Sequence, residues 1–244
     1  MTAVNPAGGA LLECRGVAAG YGAVAVVRDL DLRVEPGEVV ALIGPNGAGK
    51  TTTLLTIAGE LPVIAGDVVF RGAPTKAPLF RRARRGMGFV TEERSVFMAL
   101  SAEENLRIAG VSRADAAAVF PELASLMGRT AGLLSGGEQQ MLTLARAVAR
   151  QPQLLLVDEL SLGLAPLIVK RLLETVRQVA QDNATGILMV EQHVRQALAI
   201  ADRVYVMQRG RIVISGTAEE VRGRIDEVES TYLSEQRATD EADE

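Results

Sequence analysis

Eight consecutive residues, Gly44-Pro45-Asn46-Gly47-Ala48-Gly49-Lys50-Thr51, carry the pattern G-x-x-x-x-G-K-T. Glycines at this spacing let the backbone curl so that several N–H groups converge on one point. A helix opening at Lys50 adds the partial positive charge of its N-terminus. Such a loop holds phosphate oxygens. Lys50 can reach the β- and γ-phosphates of a nucleotide, the Thr51 hydroxyl can ligate Mg2+, and Thr52 continues the cradle. Further along, the apolar run Leu154-Leu155-Leu156-Val157 ends in Asp158 and Glu159. A carboxylate at the end of a buried strand can hold Mg2+ through water, and the next acid can orient or deprotonate an attacking water. Two adjacent acids alone equally describe a strand reaching the surface; behind a phosphate loop they complete a nucleotide-hydrolysing pair.

These groups must be held by particular elements. Val39 to Ile43 is a compact β-branched run suited to a buried parallel strand, and Lys50 to Ala58 reads as a helix closed by Gly59. Val24 to Val34 reads as a strand ending at Pro36-Gly37, and Val68 to Phe70 as a short one. Gly86 to Val90 follows the basic cluster Arg81, Arg82, Arg84 and Arg85, which is expected to form a solvated helix face. Ser101 with Glu104 makes a capping box for a helix through Ile108, Ser112 to Met127 is expected to be helical, and so is Glu138 to Ala149. Beyond the Leu154 strand come a helix from Pro166 to Ala180, a strand from Ile187 to Val190 and a helix from Val194 to Ala201. A hairpin at Gln208-Arg209-Gly210-Arg211 joins Val204–Met207 to Ile212–Ile214. Alternating strands and helices imply an α/β fold with a mostly parallel sheet core and a helical insertion in the middle.

Composition narrows the class of function. The 244 residues include one Cys and one His, which excludes a disulfide framework, a Cys-rich zinc site and a multi-histidine metal centre. Eight aromatics give no stacking platform for single-stranded nucleic acid. Residues 226–244 hold eight acids against Arg237, so the remaining body of this chain of net charge −4 is mildly basic. That balance does not suit a dedicated DNA binder, and no nucleic-acid partner is expected. No apolar run is long enough to span a bilayer, and Met1 to Ala10 does not read as a signal peptide. Membrane association is therefore expected to be peripheral, through a partner.

Leu134-Ser135-Gly136-Gly137-Glu138-Gln139-Gln140, shortly before the Asp158 strand, is similar to the LSGGQ signature of ABC-type ATPases. Physically it is a Ser and two glycines opening a helix, a second anion-binding N-terminus. With the phosphate loop and the acidic strand end, it gives a resemblance to that family over roughly residues 11–235. The resemblance implies a P-loop NTPase fold of the ABC nucleotide-binding type, with an antiparallel β portion and a helical subdomain at about 93–150, a flexible start at 1–10 and an acidic tail at 236–244. It implies ATP and Mg2+ as ligands. It implies a head-to-tail dimer, with this chain or a paralogue, in which Ser135, Gly136, Gly137 and Glu138 cover the γ-phosphate held by the other subunit. Tyr21 falls where the family stacks an aromatic on adenine, Glu92 at the Q-loop position as a further metal-side group, and His193 at the switch position that contacts the γ-phosphate.

Val90-Thr91-Glu92-Glu93-Arg94-Ser95-Val96-Phe97, Ser161-Leu162-Gly163-Leu164-Ala165-Pro166 and Thr231-Tyr232-Leu233 resemble the ATP-binding subunits of branched-chain amino acid importers, the LivF type, with urea and amide importer subunits close by. The implied setting is the cytoplasmic face of a membrane, against integral permease subunits and indirectly a solute-binding protein. A soluble ABC ATPase is the rival class, but it usually has long coiled-coil insertions or a second ATPase domain, and this chain has neither. Departures from the family pattern are Leu160 in place of a Pro, Ala165 in place of a D-loop Asp, Glu92 in place of Gln, and a short stretch between Leu106 and Leu134.

Overall fold

The computed structural model describes residues 9–22, 24–93, 95–229 and 232. The expected flexible start up to residue 8, the acidic tail 236–244, Thr231 and Leu233 lie outside the described residues. The chain runs through β1 (Leu12–Tyr21), β2 (Val24–Val34), β3 (Val39–Ile43), α1 (Lys50–Ala58), β4 (Val63–Phe70), β5 (Ala73–Pro74), α2 (Leu79–Arg84) and β6 (Met87–Val90). It continues through α3 (Ala102–Ile108), α4 (Arg113–Val119), α5 (Gly136–Val148), β7 (Leu154–Asp158), α6 (Pro166–Asn183), β8 (Gly186–Glu191), α7 (Val194–Ile200), β9 (Arg203–Gln208), β10 (Arg211–Thr217) and α8 (Ala218–Arg222).

Six strands form one sheet in the order β10-β9-β3-β8-β7-β6, parallel from β9 to β6 with β10 antiparallel at its edge. β2-β1-β4-β5 form a second, antiparallel sheet. The pleat of the parallel strands divides the apolar residues between two cores. Val39, Ala41 and Ile43 of β3, Leu155 and Val157 of β7, and Ile187 and Met189 of β8 share one core with apolar residues of α5, α6 and α7. Val40, Leu42, Leu154, Leu156, Leu188 and Val190 face the other, which α1 and the antiparallel sheet complete. β3 and β7 are buried at every residue, as their unbroken apolar runs require. The C-terminal ends of β3, β7 and β8 lie side by side, the place where ligands bind in open α/β sheets.

Local signals match where they were strong. β2, β3 and α1 have the expected bounds, Gly59 closes α1 at φ 90° with its N–H on Leu55 O and Thr56 O, and Ser101 and Glu104 form the capping box of α3. Three expectations are corrected. Ser112 to Met127 is not one helix: α4 stops at Val119, Phe120 is extended, and a short 3-10 turn runs from Pro121 to Ser125. Proline at 121 removes an amide donor and disfavours helical backbone at Phe120. The Val68–Phe70 strand begins earlier, at Val63, with Gly66 at φ 76° letting it bend against β1. Finally, Arg82 is not on a solvated face. It is 2% exposed and donates to the carbonyls of Ala77, Thr56, Ile57 and Thr75, capping the end of α1, while Arg81, Arg84 and Arg85 are exposed.

Candidate active site

The loop between β3 and α1 is fixed by backbone contacts. Gly44 passes so close to β9 that a Cβ would lie 2.3 Å from Met207 O, and Gly210 N–H donates to Ala48 O at 2.9 Å. Gly47 and Gly49 take φ of 81° and 106°, left-handed conformations that bulkier residues resist. Gly49 caps α1 without a side-chain acceptor, so the first-turn amides face the loop's hollow. Lys50, 4% exposed, curls back with Nζ donating to Gly44 O at 2.8 Å and Pro45 O at 2.9 Å, and stands 4.0 Å from Glu159 Oε1. The cation is thus held over the loop, short of full extension.

A cavity of about 520 Å3 opens on this loop. Asn46, Gly47, Gly49, Lys50, Thr51 and Thr52 form one side; Glu92, Glu159, Gln192, Leu162 and Val26 form the rest. Next to the lining residues Thr51 and Glu159 lies Asp158, 3% exposed, whose Oδ1 is buried with no hydrogen-bond partner. Burial, more than the neighbouring charge of Glu159, pushes the Asp158 carboxyl up to about 6, against the pull of a hydrogen bond from Thr51. The next residue, Glu159, adopts φ 44°, donates its N–H to Val190 O at 3.1 Å and accepts from Gln192 Nε2 at 2.7 Å. Leu160 turns back into the core, and Ala165 and Pro166 open α6, so the two family departures here are accommodated by apolar packing and a proline-led helix start.

Lys50, Thr51 and Glu159 share one cavity with Asp158 beside Thr51, as the motif spacing predicts, and Glu92, expected only from the resemblance, lines the same cavity. Among the described residues no group of three or more His, Cys, Asp or Glu gathers as a metal cluster. Other expected residues stand apart. His193 is the exposed N-cap of α7 and lines a neighbouring cavity with Arg195, Gln196, Glu229 and Tyr232. Tyr21, at the end of β1, is 55% exposed and outside the cavity lining. Ser135 caps α5 and does not line the cavity; its Oγ accepts from Glu138 N–H and Glu138 Oε2 accepts from Ser135 N–H at 2.6 Å. Gln192 was not singled out from the sequence; its only signal is its place between the last β8 residue and His193. Nor was Glu191, 1% exposed, which accepts from Ser161 Oγ at 2.7 Å and is pushed up to about 7 by burial.

A buried strand, a glycine loop closed by a lysine, and a strand-end Asp-Glu pair facing it define a P-loop nucleoside triphosphatase. Solved structures agree on the fold. An ATP-binding subunit of an ABC transporter superposes with TM-score 0.78 at 29% identity over 91% of this chain and 99% of that one. The ADP conformation of an ATP-binding cassette does so with TM-score 0.83 at 24% identity, over 92% of this chain and 98% of that one. The ABC transporter family model matches residues 27–161, and the chain belongs to that family. It is an ATPase subunit of the transporter type. The high-affinity branched-chain amino acid transport ATP-binding protein BraG of Pseudomonas aeruginosa is 40% identical over 207 residues, 81% of this chain and 88% of that protein. A probable branched-chain amino acid transport ATP-binding protein, LivF of Archaeoglobus fulgidus, is 37% identical over 83% of this chain and 90% of that one. The lipopolysaccharide export ATP-binding protein LptB of Escherichia coli K12 is 35% identical over 93% and 98%. Among the described residues no helix is long and apolar enough to cross a membrane.

Proposed function

We propose that this chain hydrolyses Mg-ATP to energise uptake of branched-chain amino acids through membrane permease subunits, from a peripheral position on their cytoplasmic side. The observation that carries the chemistry is the buried, partnerless Oδ1 of Asp158 beside Thr51. An orphaned carboxylate oxygen next to a hydroxyl is a hard-oxygen donor set that fits Mg2+, with Thr51 and Asp158 as its holders and Glu92 across the cavity. Held there, the ion would supply charge neutralisation to the nucleotide's phosphates. Lys50 takes up further phosphate charge, the amides of Asn46 to Thr52 bind the phosphate oxygens, and Glu159 aligns the attacking water and accepts its proton. Little covalent work falls to the protein, so positioning dominates.

The reading extends to an assembly. Ser135 to Glu138 of one subunit close over the γ-phosphate held by its partner, His193 meets the same phosphate on closure, and Tyr21 flanks the adenine. Loss of the γ-phosphate releases the closed dimer, and the Glu92 segment passes that motion to the permeases. The solute assignment rests on the similarity to BraG and LivF. An export role is the second reading, favoured by the longer coverage of LptB. Uptake of labelled leucine in a strain lacking this chain separates them: loss of leucine uptake, restored by the wild-type chain, supports import, whereas normal uptake of leucine refutes it.

A further inference from the structure

The outer side of α2 carries cations that meet no anion. Arg81, Arg84 and Arg85, spaced three and four residues apart, fall on one side of the helix and are exposed. Arg71, half-buried, joins them through its Nη1, which donates to Arg85 O at 3.3 Å. None of these four is ion-paired among the described residues, whereas Arg107, Arg113 and Arg224 elsewhere on the surface each have a carboxylate partner. Behind the cluster the buried Arg82 is met by carbonyls alone, so its charge adds to the same field. Among these cations stands Phe80, 56% exposed, with the Arg81 guanidinium 5.7 Å from the centre of its ring.

The cluster lies at the far end of α1 from the phosphate loop, because Arg82 donates to Thr56 and Ile57 in the last turn of that helix. Nine helical residues, roughly 14 Å, separate the two ends, so a flat partner can cover α2 and leave the nucleotide cavity open. We propose that this face of α2 binds the anionic headgroups of a phospholipid membrane, with Phe80 entering the headgroup layer and the arginines meeting lipid phosphates. The charges are complementary: the cytoplasmic leaflet is negative, and a chain of net charge −4 gathers unpaired cations here. An apolar ring bordered by cations is the chemistry of an interfacial anchor. A nucleic acid calls for a longer cationic track with several stacking rings, and α2 spans six residues with one. The inference goes beyond the transport reading, since it gives the chain a lipid contact of its own whatever solute the permeases carry.

The test is co-sedimentation of the full chain, without permease or nucleotide, with vesicles of phosphatidylcholine alone or with about one third phosphatidylglycerol. The wild-type chain is expected to bind the phosphatidylglycerol vesicles at least about tenfold more tightly than the neutral ones, and to come off in about 0.5 M salt. Each cation near an anionic surface is worth about fivefold, so Arg81→Gln, Arg84→Gln and Arg85→Gln together should weaken binding about a hundredfold. Lysine at the same three positions should keep it, and Phe80→Ser should weaken it several-fold. Arg107→Gln, Arg113→Gln and Arg224→Gln together remove the same net charge elsewhere and should leave binding within about twofold of wild type. ATP hydrolysis at the wild-type rate in the α2 variant shows that it is folded. A single reversal, Arg84→Glu, repeats the comparison with less demand on folding and should cost about twentyfold. Equal binding to neutral and anionic vesicles, no binding to either, undiminished binding by the α2 variants, or an equal loss in the charge-matched control overturns the inference. Binding of a single-stranded RNA without binding of vesicles overturns it as well. None of these results touches the import reading, which leucine uptake tests separately.

Discussion

Asp158→Asn should make the protein more stable while disabling it, and the gain should depend on pH. The carboxylate is buried at the end of β7, Oδ1 has no partner, and burial lifts its pKa from 3.8 to about 6. A folded-state value above the unfolded one means that ionising Asp158 costs folding free energy. The cost is absent below 3.8, grows as pH rises, and is complete above about 6. A gap of roughly two units, at about 1.4 kcal/mol each, sets it at about 3 kcal/mol near neutral pH. Asparagine has the same shape, keeps an oxygen for Thr51 and carries no charge to bury. Urea unfolding of the two proteins, without nucleotide or metal, at pH values from about 4 to about 8 checks this. The variant should gain up to about 3 kcal/mol at the upper end and almost nothing at the lower. A variant no more stable than wild type at the upper end, or a gain that does not change with pH, refutes the reasoning.

Other consequences follow from single contacts. Arg82→Leu orphans four carbonyls at the foot of α1, and at about 1 kcal/mol or more each it should destabilise by about 3–5 kcal/mol in urea unfolding, whereas the exposed Arg81→Ala should cost less than about 0.5 kcal/mol. His193→Ala should lower ATP turnover by about a hundredfold while leaving ATP affinity within about twofold, measured by phosphate release and by equilibrium binding. Turnover at the wild-type rate would remove His193 from the γ-phosphate contact.

Much of the fold was legible because its signals are local. The phosphate loop, the Gly59 cap, the Ser101 and Ser135 capping boxes and the apolar β3 and β7 each follow from residues within one or two turns of chain. What escaped was non-local. β1, Leu12–Tyr21, has no clean alternation: register shifts on both sides break its period, and its partners β2 and β4 supply the pairing that defines it. Arg82 looked like one of four surface charges, but the open carbonyls of Thr56 and Ile57 lie 26 and 25 residues earlier. The site shows the same division. That Lys50, Thr51, Asp158 and Glu159 lie together follows from strand ends and spacing. The place of Gln192 does not, because its hydrogen bond to Glu159 spans 33 residues and exists only once β7 and β8 are paired.

The central claim is that Glu159 activates water for ATP hydrolysis at the Lys50–Thr51 loop. The most direct test is the ATPase rate of Glu159→Gln, with ATP affinity measured on the same preparation. Replacement by the isosteric amide removes the proton acceptor and leaves the phosphate loop untouched, so the rate should fall by about a hundredfold or more with ATP affinity retained. Hydrolysis at the wild-type rate would contradict the account.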